Sequence, residues 1–166
     1  VALRDDVEGE FAWPDPDPDS APTVGEAIGD LMAQGGWPHA AAWAERAAKI
    51  APTIVGGSKK HGGPHLGPTR AKKAWAELGV DGLVIADRPP PPGFRGMPRL
   101  TVKMVARLQG FPDDWEFSGS KTHAYRQVGN AFPPPVAKAV GLQIKKALQP
   151  RNMHLLPLFQ PMETAP

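Results

Sequence analysis

Arg99-Leu-Thr-Val-Lys-Met-Val-Ala-Arg-Leu-Gln-Gly-Phe-Pro-Asp-Asp-Trp115 is the most strongly patterned stretch of this 166-residue chain, and Tyr125-Arg-Gln-Val-Gly-Asn-Ala-Phe-Pro-Pro-Pro-Val-Ala137 follows it closely. In the first, Thr101 stands where a helix N-cap belongs and Val102, Val105 and Leu108 recur on one face. Gly110, with Pro112 beyond it, closes that helix. Ser120 offers the cap of a second helix ending at Gly129, and Pro133-Pro134-Pro135 opens a third. The third carries Val136, Ala139, Val140, Ile144, Ala147 and Leu148 on its inward face, with Lys138, Lys145 and Lys146 outward. Residues 149–166 keep no period and read as a loose tail.

Upstream the pattern is more broken. Val1-Ala2-Leu3 opens the chain without an initiator Met, which reads as entry partway along a strand with sequence missing before it. Trp13-Pro14-Asp15-Pro16-Asp17-Pro18-Asp19 is a loop, because each proline removes a backbone donor. Thr23-Val24-Gly25-Glu26 has the spacing of a capping box, and Val24, Ala27, Ile28, Leu31 and Met32 continue at helical period until Gly35-Gly36. Pro38 suits a first helical position, and an alanine-rich helix is expected to about Ala48 with Trp43 on its apolar face. Ala51 to Val55 reads as extended, Gly56 to Pro64 as a loop, and a helix from Pro68 or Thr69 to Gly79 turns Ala71, Ala74, Trp75 and Leu78 inward. Leu83-Val84-Ile85-Ala86 is a candidate strand, and Pro89 to Pro92 a linker.

Charge is unevenly spread although the net is only +2. Arg4 is the one basic residue among nine acids from Val1 to Asp30, whereas Lys49 to Lys73 holds six basic residues, His61 and His65, and no acid. That asymmetry points to a local polyanion site. The chain has no cysteine, which excludes disulfides, thiolate metal sites and cysteine nucleophiles within it and makes the cytoplasm the default location. The five histidines lack ligand spacing, so no metal site is expected, and no apolar run approaches the ~18 residues of a membrane helix. The 18 glycines and 21 prolines predict a loop-rich chain.

The Arg99–Trp115 run resembles the ninth signature motif of the DNA (cytosine-5)-methyltransferases, and the Tyr125–Ala137 run resembles their tenth, in the family's order. Val1 to Arg4 is similar to the end of the eighth-motif strand, and Thr53-Ile54 to the Thr-Leu-type dipeptide of the target-recognition region. The resemblance implies an α+β, loop-rich fold: a target-recognition domain joined to the C-terminal edge of a doubly wound α/β methyltransferase domain. Residues 1–34 would be the end of a catalytic-domain strand and a linker helix, and 35–98 the target-recognition domain. Residues 99–118 would be the ninth motif, 119–148 the tenth-motif segment returning to the cofactor domain, and 149–166 the tail.

It also implies double-stranded DNA as partner and S-adenosylmethionine as cofactor. The basic stretch falls where the family reads DNA. Lys59, Lys60, Arg70, Lys72 and Lys73 are therefore candidates for phosphate contact, Ser58 and His61 for base edges, and Thr53 with Ile54 for the backbone near the target nucleotide. Asn130 and Ala131 are the cofactor candidates, and Arg107 and Asp113 structural hydrogen-bonders. Family members attack cytosine C6 with a cysteine from a Pro-Cys motif. That residue is absent, as are the Phe-x-Gly-x-Gly, Glu-Asn-Val and Gln-x-Arg-x-Arg motifs, so no catalytic residue is assigned. The chain is read as part of the enzyme, inactive alone and binding cofactor only with a missing N-terminal catalytic half, whether severed or a separate subunit. The alternative is a stand-alone basic DNA-binding module without a methyltransferase partner.

Overall fold

The computed structural model describes residues 1, 3, 9–17, 21–56 and 63–149. It divides into a larger unit, Asp17–Pro135, and a smaller one made of Val1–Pro16 with Val136–Pro166. Among the described residues the fold is helix-rich and has no sheet; the sole β-type pairing is a parallel bridge between Ala86 and Thr101.

In the larger unit, α1 (Val24–Ala33) begins as its sequence requires. The Thr23 hydroxyl accepts from the Glu26 N–H at 3.3 Å, while the Glu26 carboxylate accepts from the Thr23 N–H at 2.8 Å. Two further N–H groups of its first turn, those of Val24 and Gly25, donate to the carbonyls of Lys49 and Ala47, each at 2.9 Å. This explains why α2 (Ala40–Arg46) stops short of Ala48. Its continuation leaves the helical path to cap α1, whose first-turn donors have no partner of their own. The helix also starts later than Pro38 suggested. Trp37 folds into the core with Nε1 donating to the Phe94 carbonyl at 3.2 Å, which holds residues 37–39 in a turn.

α3 (Thr69–Glu77) buries Trp75, and Leu78 just beyond it, against the core. α4 (Val102–Leu108) is capped by the Thr101 hydroxyl, which accepts from Met104 N–H at 3.3 Å, and ends before Gly110 at φ 81. It buries Met104, Val105 and Ala106, with Val102 and Leu108 only partly covered. In α5 (Lys121–Asn130), Ser120 occupies the N-cap position, but its hydroxyl pairs with His123 Nδ1 at 2.9 Å and not with the helix backbone. α1 packs on α2 and on α4, and α4 packs on α5. Trp43, Trp75, Tyr125, Ile28, Met32, Leu66, Ile85, Leu100 and Met104 form the fully buried centre.

The expected strand at Leu83–Ala86 does not become a ladder. Ile85 N–H donates to Pro64 and Ala86 N–H to Leu100, so the segment is shared between two neighbours, and Leu83 and Val84 stay exposed. Arg107 ties three pieces together. Its guanidinium pairs bidentately with Asp113, pairs with Asp30 on α1, and donates to the Ala27 carbonyl at 3.3 Å.

In the smaller unit, α6 (Pro134–Leu148, its first residues belonging to the larger) departs from its periodicity. Ala147 is buried where its backbone meets Gly9, and Ala139, Val140 and Ile144 are partly covered. Val136 and Leu148, expected inward, are 46% and 54% exposed, because the described residues bring nothing to cover them.

Two measurements check this architecture. Trp43→Ala should cost roughly 3–5 kcal/mol of folding free energy, since the side chain is fully buried and its Nε1 donates to Gly79 O at 3.2 Å; chemical denaturation followed by circular dichroism reads this, and a near-neutral effect would show the core has been misassigned. The second is a pH dependence. Hydrogen bonds from Arg107 hold the carboxyls of Asp30 and Asp113 below their usual range. Depressed carboxyls stabilise the folded chain above their unfolded value of about 3.9 and lose that contribution as pH falls through the folded one. Wild type should therefore be more stable than Arg107→Gln near neutrality, with the gap narrowing as pH falls from about 4. A gap independent of pH would mean that Arg107 acts by packing alone.

Candidate nucleic-acid interface

The acid-free stretch is built on α3 and the segments before it. Burial of Trp75 and Leu78 fixes which way the helix faces, and this leaves Arg70 and Lys73 exposed. Lys72 is half-buried and lines a cleft of about 550 Å³ with Val55, Gly56, His65, Gly67, Pro68 and Thr69. Thr53 is exposed, while Ile54 packs partly against the core. Ser58, Lys59, Lys60 and His61 lie outside the described residues.

The cleft is held from beneath by α5. Tyr125 is the chain's single tyrosine and is fully buried. Its hydroxyl donates to the carbonyl of His65 at 2.7 Å and also approaches that of Val55 at 3.1 Å, one hydrogen shared between two acceptors. Burial pushes its pKa up to about 12, so it remains a donor throughout the neutral range. One turn along, a Cβ at Gly129 would lie 2.7 Å from both the Cα and the N of Gly56, too close for any side chain. Asn130 covers the same spot: a Cβ at Gly56 would fall 2.0 Å from Asn130 Oδ1.

These contacts revise the reading of Gly129. The helix runs through it to Asn130, with Ala131 as C-cap in extended conformation, so Gly129 is no left-handed helix stop. What approaches it closely is the chain's own Gly56. Asn130 is exposed, Ala131 half-buried, and the Ala131 N–H donates to Val128 O at 3.2 Å. Sequence reasoning did not find Tyr125, Gly56 or His65 as parts of the site. The available signal was the lone tyrosine on an apolar helix face, since a buried phenol needs an acceptor.

Among the described residues no group of three or more His, Cys, Asp or Glu is placed to hold a metal ion, and no helix is long and apolar enough to cross a membrane.

Residues 11–146 match the family model of the C-5 cytosine-specific DNA methylases. The chain is 60% identical over 151 residues to the Type II methyltransferase M.NaeI of Lentzea aerocolonigenes, an alignment covering 89% of this chain and 36% of that protein. It is 47% identical over 156 residues to the Type II methyltransferase M.NgoMIV of Neisseria gonorrhoeae, covering 92% of this chain and 49% of that protein. A shorter match, 55% over 49 residues, links 30% of the chain to 3% of the DNA (cytosine-5)-methyltransferase 1 of Mus musculus. The chain thus spans between a third and a half of the Type II relatives' length.

The Gly129–Gly56 contact makes an unusual expectation. Glycine to alanine inside a helix normally gains up to about 1 kcal/mol. Gly129→Ala should instead destabilise by roughly 1–3 kcal/mol, because the added methyl meets backbone and not a flexible side chain. Denaturation curves check the sign, and a stabilised variant would show that Gly56 yields freely.

Proposed function

This chain belongs to the C-5 cytosine-specific DNA methylases, and from that premise we propose that it is the DNA-reading portion of a restriction-modification enzyme that moves a methyl group from S-adenosylmethionine to cytosine C5. The observation that carries the proposal is the exposure of Arg70 and Lys73 beside the cleft lined by Lys72, on a stretch from Lys49 to Lys73 that holds no acid. Arg70 and Lys73 stand exposed three residues apart on α3, while Glu77 ends the same helix and the Asp81 carboxylate lies near Lys72. The two exposed cations suit a phosphate backbone, whose neutralisation releases condensed counterions.

In this reading residues 35–98 are the target-recognition domain. Arg70, Lys72 and Lys73, with Lys59 and Lys60, contact phosphates; Ser58 and His61 face base edges; Thr53 and Ile54 meet the backbone near the target nucleotide. Residues 1–34 and 99–148 complete a doubly wound α/β domain together with a partner portion corresponding to the part of the Type II relatives that this chain does not span. That portion supplies the Pro-Cys nucleophile, for which these 166 residues hold no cysteine. S-adenosylmethionine supplies the methyl group when bound. The exposed Asn130 carboxamide, both donor and acceptor, and Ala131 beside it fit one wall of its site and are the residues that would hold it. A cytoplasmic location belongs to the same proposal.

Duplex-DNA binding by this chain tests the reading. The logarithm of affinity should fall linearly with the logarithm of salt concentration, at about −0.9 per phosphate contact. Arg70→Ala combined with Lys73→Ala should flatten that slope by up to about two units while leaving the fold intact, as both side chains are exposed. An unchanged slope would return both residues to an ordinary solvated face.

A further inference from the structure

Tyr125 and Gly129 sit one turn apart on α5, inside a motif whose end has been assigned to the cofactor. What they touch is the DNA-reading side. The Tyr125 hydroxyl reaches the carbonyl of Val55, two residues after Thr53, and the carbonyl of His65, four residues before Thr69 opens α3. Gly129 receives the backbone of Gly56 at a distance no side chain allows. Val55, Gly56 and His65 line the cleft that Lys72 and Thr69 also line. The acceptors therefore belong to two separate segments of the proposed DNA surface, one carrying Thr53 and Ile54, the other leading into Arg70, Lys72 and Lys73. A single buried hydroxyl is bonded to both.

A carbonyl in a segment without a ladder partner has few alternatives for its hydrogen bond, and the Val55 and His65 segments belong to no sheet. The phenol has one hydrogen, so it holds the two acceptors at a fixed separation only while both stay within its reach. Its own position is set by the fully buried ring and by α5 packing on α4. The pair of anchors, a shared hydrogen bond at position 125 and a backbone contact at position 129, is one helical turn long, which is the spacing a helix face needs to clamp a neighbouring strand of chain at two points.

We propose that Tyr125 is a positioning residue for DNA recognition: its hydroxyl fixes the separation of Val55 and His65, and so the register between Thr53-Ile54 and the cations of α3, without touching DNA itself. This rests on the DNA-binding reading above. It gives the tenth-motif tyrosine of this chain a task on the DNA side, separate from the cofactor wall proposed for Asn130 and Ala131.

Tyr125→Phe tests it, since phenylalanine keeps the buried ring and removes only the hydroxyl. Circular dichroism melts of the full chain identify a temperature at which wild type and variant are both folded. There, the variant should bind duplex DNA about tenfold more weakly, the scale of one lost hydrogen bond, with a shallower salt slope. Amide hydrogen exchange at Gly56 and Gly67, read without DNA, should quicken relative to amides of α1. Equal affinity and equal slope in the folded variant, or a variant that cannot fold at any temperature, would make the hydroxyl a purely structural element and overturn the proposal. Exchange at Gly56 and Gly67 unchanged from wild type would overturn it too. A wild-type chain that binds no DNA would instead sink the DNA reading, and the exchange comparison would still decide whether the hydroxyl holds these segments.

Discussion

Backbone carbonyls in irregular segments must find donors, and in the larger unit side chains anchored on or beside the helices supply them. Trp37 donates to Phe94, Trp43 to Gly79, and Tyr125 to Val55 and His65. In each case the acceptor lies far along the chain from the donor. Such bonds contribute little net energy individually, but leaving a buried carbonyl unpaired costs more than the bond gains. A fold with no sheet among its described residues therefore depends on large, amphipathic side chains whose apolar bodies fill the core while their polar ends reach out to loops. The same logic accounts for Trp43 on α2 and Tyr125 on α5, whose buried rings donate to loop carbonyls, but not for Trp75 on α3, whose Nε1 is buried without a hydrogen-bond partner among the described residues.

This dependence also marks where the sequence was readable. Local signals set the helices well. Thr23 and Thr101 announce caps because the acceptor hydroxyl and the orphan N–H lie three residues apart, and no distant residue is needed to form that bond. The family was likewise visible in the two motif-like runs from Arg99 to Ala137, which lie within the matched residues 11–146. Features set by distant partners were not. α2 ends early because Ala47 and Lys49 give their carbonyls to α1, over twenty residues before them. Leu83–Ala86 has strand composition but divides its hydrogen bonds between Pro64 and Leu100. Gly129 looked like a helix stop because glycine before asparagine commonly ends helices; its real constraint is Gly56, which no local pattern reveals.

Periodicity on α6 is informative for a different reason. Its apolar repeat is as regular as that of α1, whose Val24, Ile28, Leu31 and Met32 are all buried. Yet Val136 and Leu148, both expected inward, remain more than two-fifths exposed. An apolar face written at helical spacing specifies burial, so its exposure here measures what the described residues do not supply. In the proposed enzyme this face meets the portion of the catalytic domain that the relatives possess beyond the matched region. Exposure of a few large apolar residues is ordinary for any surface; under the proposed reading, Val136 and Leu148 are the residues of α6 that such a portion would cover.

α5 joins these two observations. Its N-terminal half carries Tyr125 against the segments assigned to DNA, and its last residue, Asn130, is assigned to the cofactor while its amide lies over Gly56. Between them, Gly129 lets two stretches of backbone meet with no side chain interposed. A contact between side chains can be absorbed by a change of rotamer, but backbone against backbone has no such slack, and helical hydrogen bonds keep positions 125 to 130 in fixed relation. Any displacement of Asn130 along the helix axis must therefore be accompanied by a displacement of Gly56, and with it of Thr53 and Ile54, or by the loss of the contact. On the proposed assignments, the wall of the cofactor site and the residues nearest the target nucleotide are held in one rigid frame, so reagent and substrate are positioned relative to each other by the same ten-residue helix.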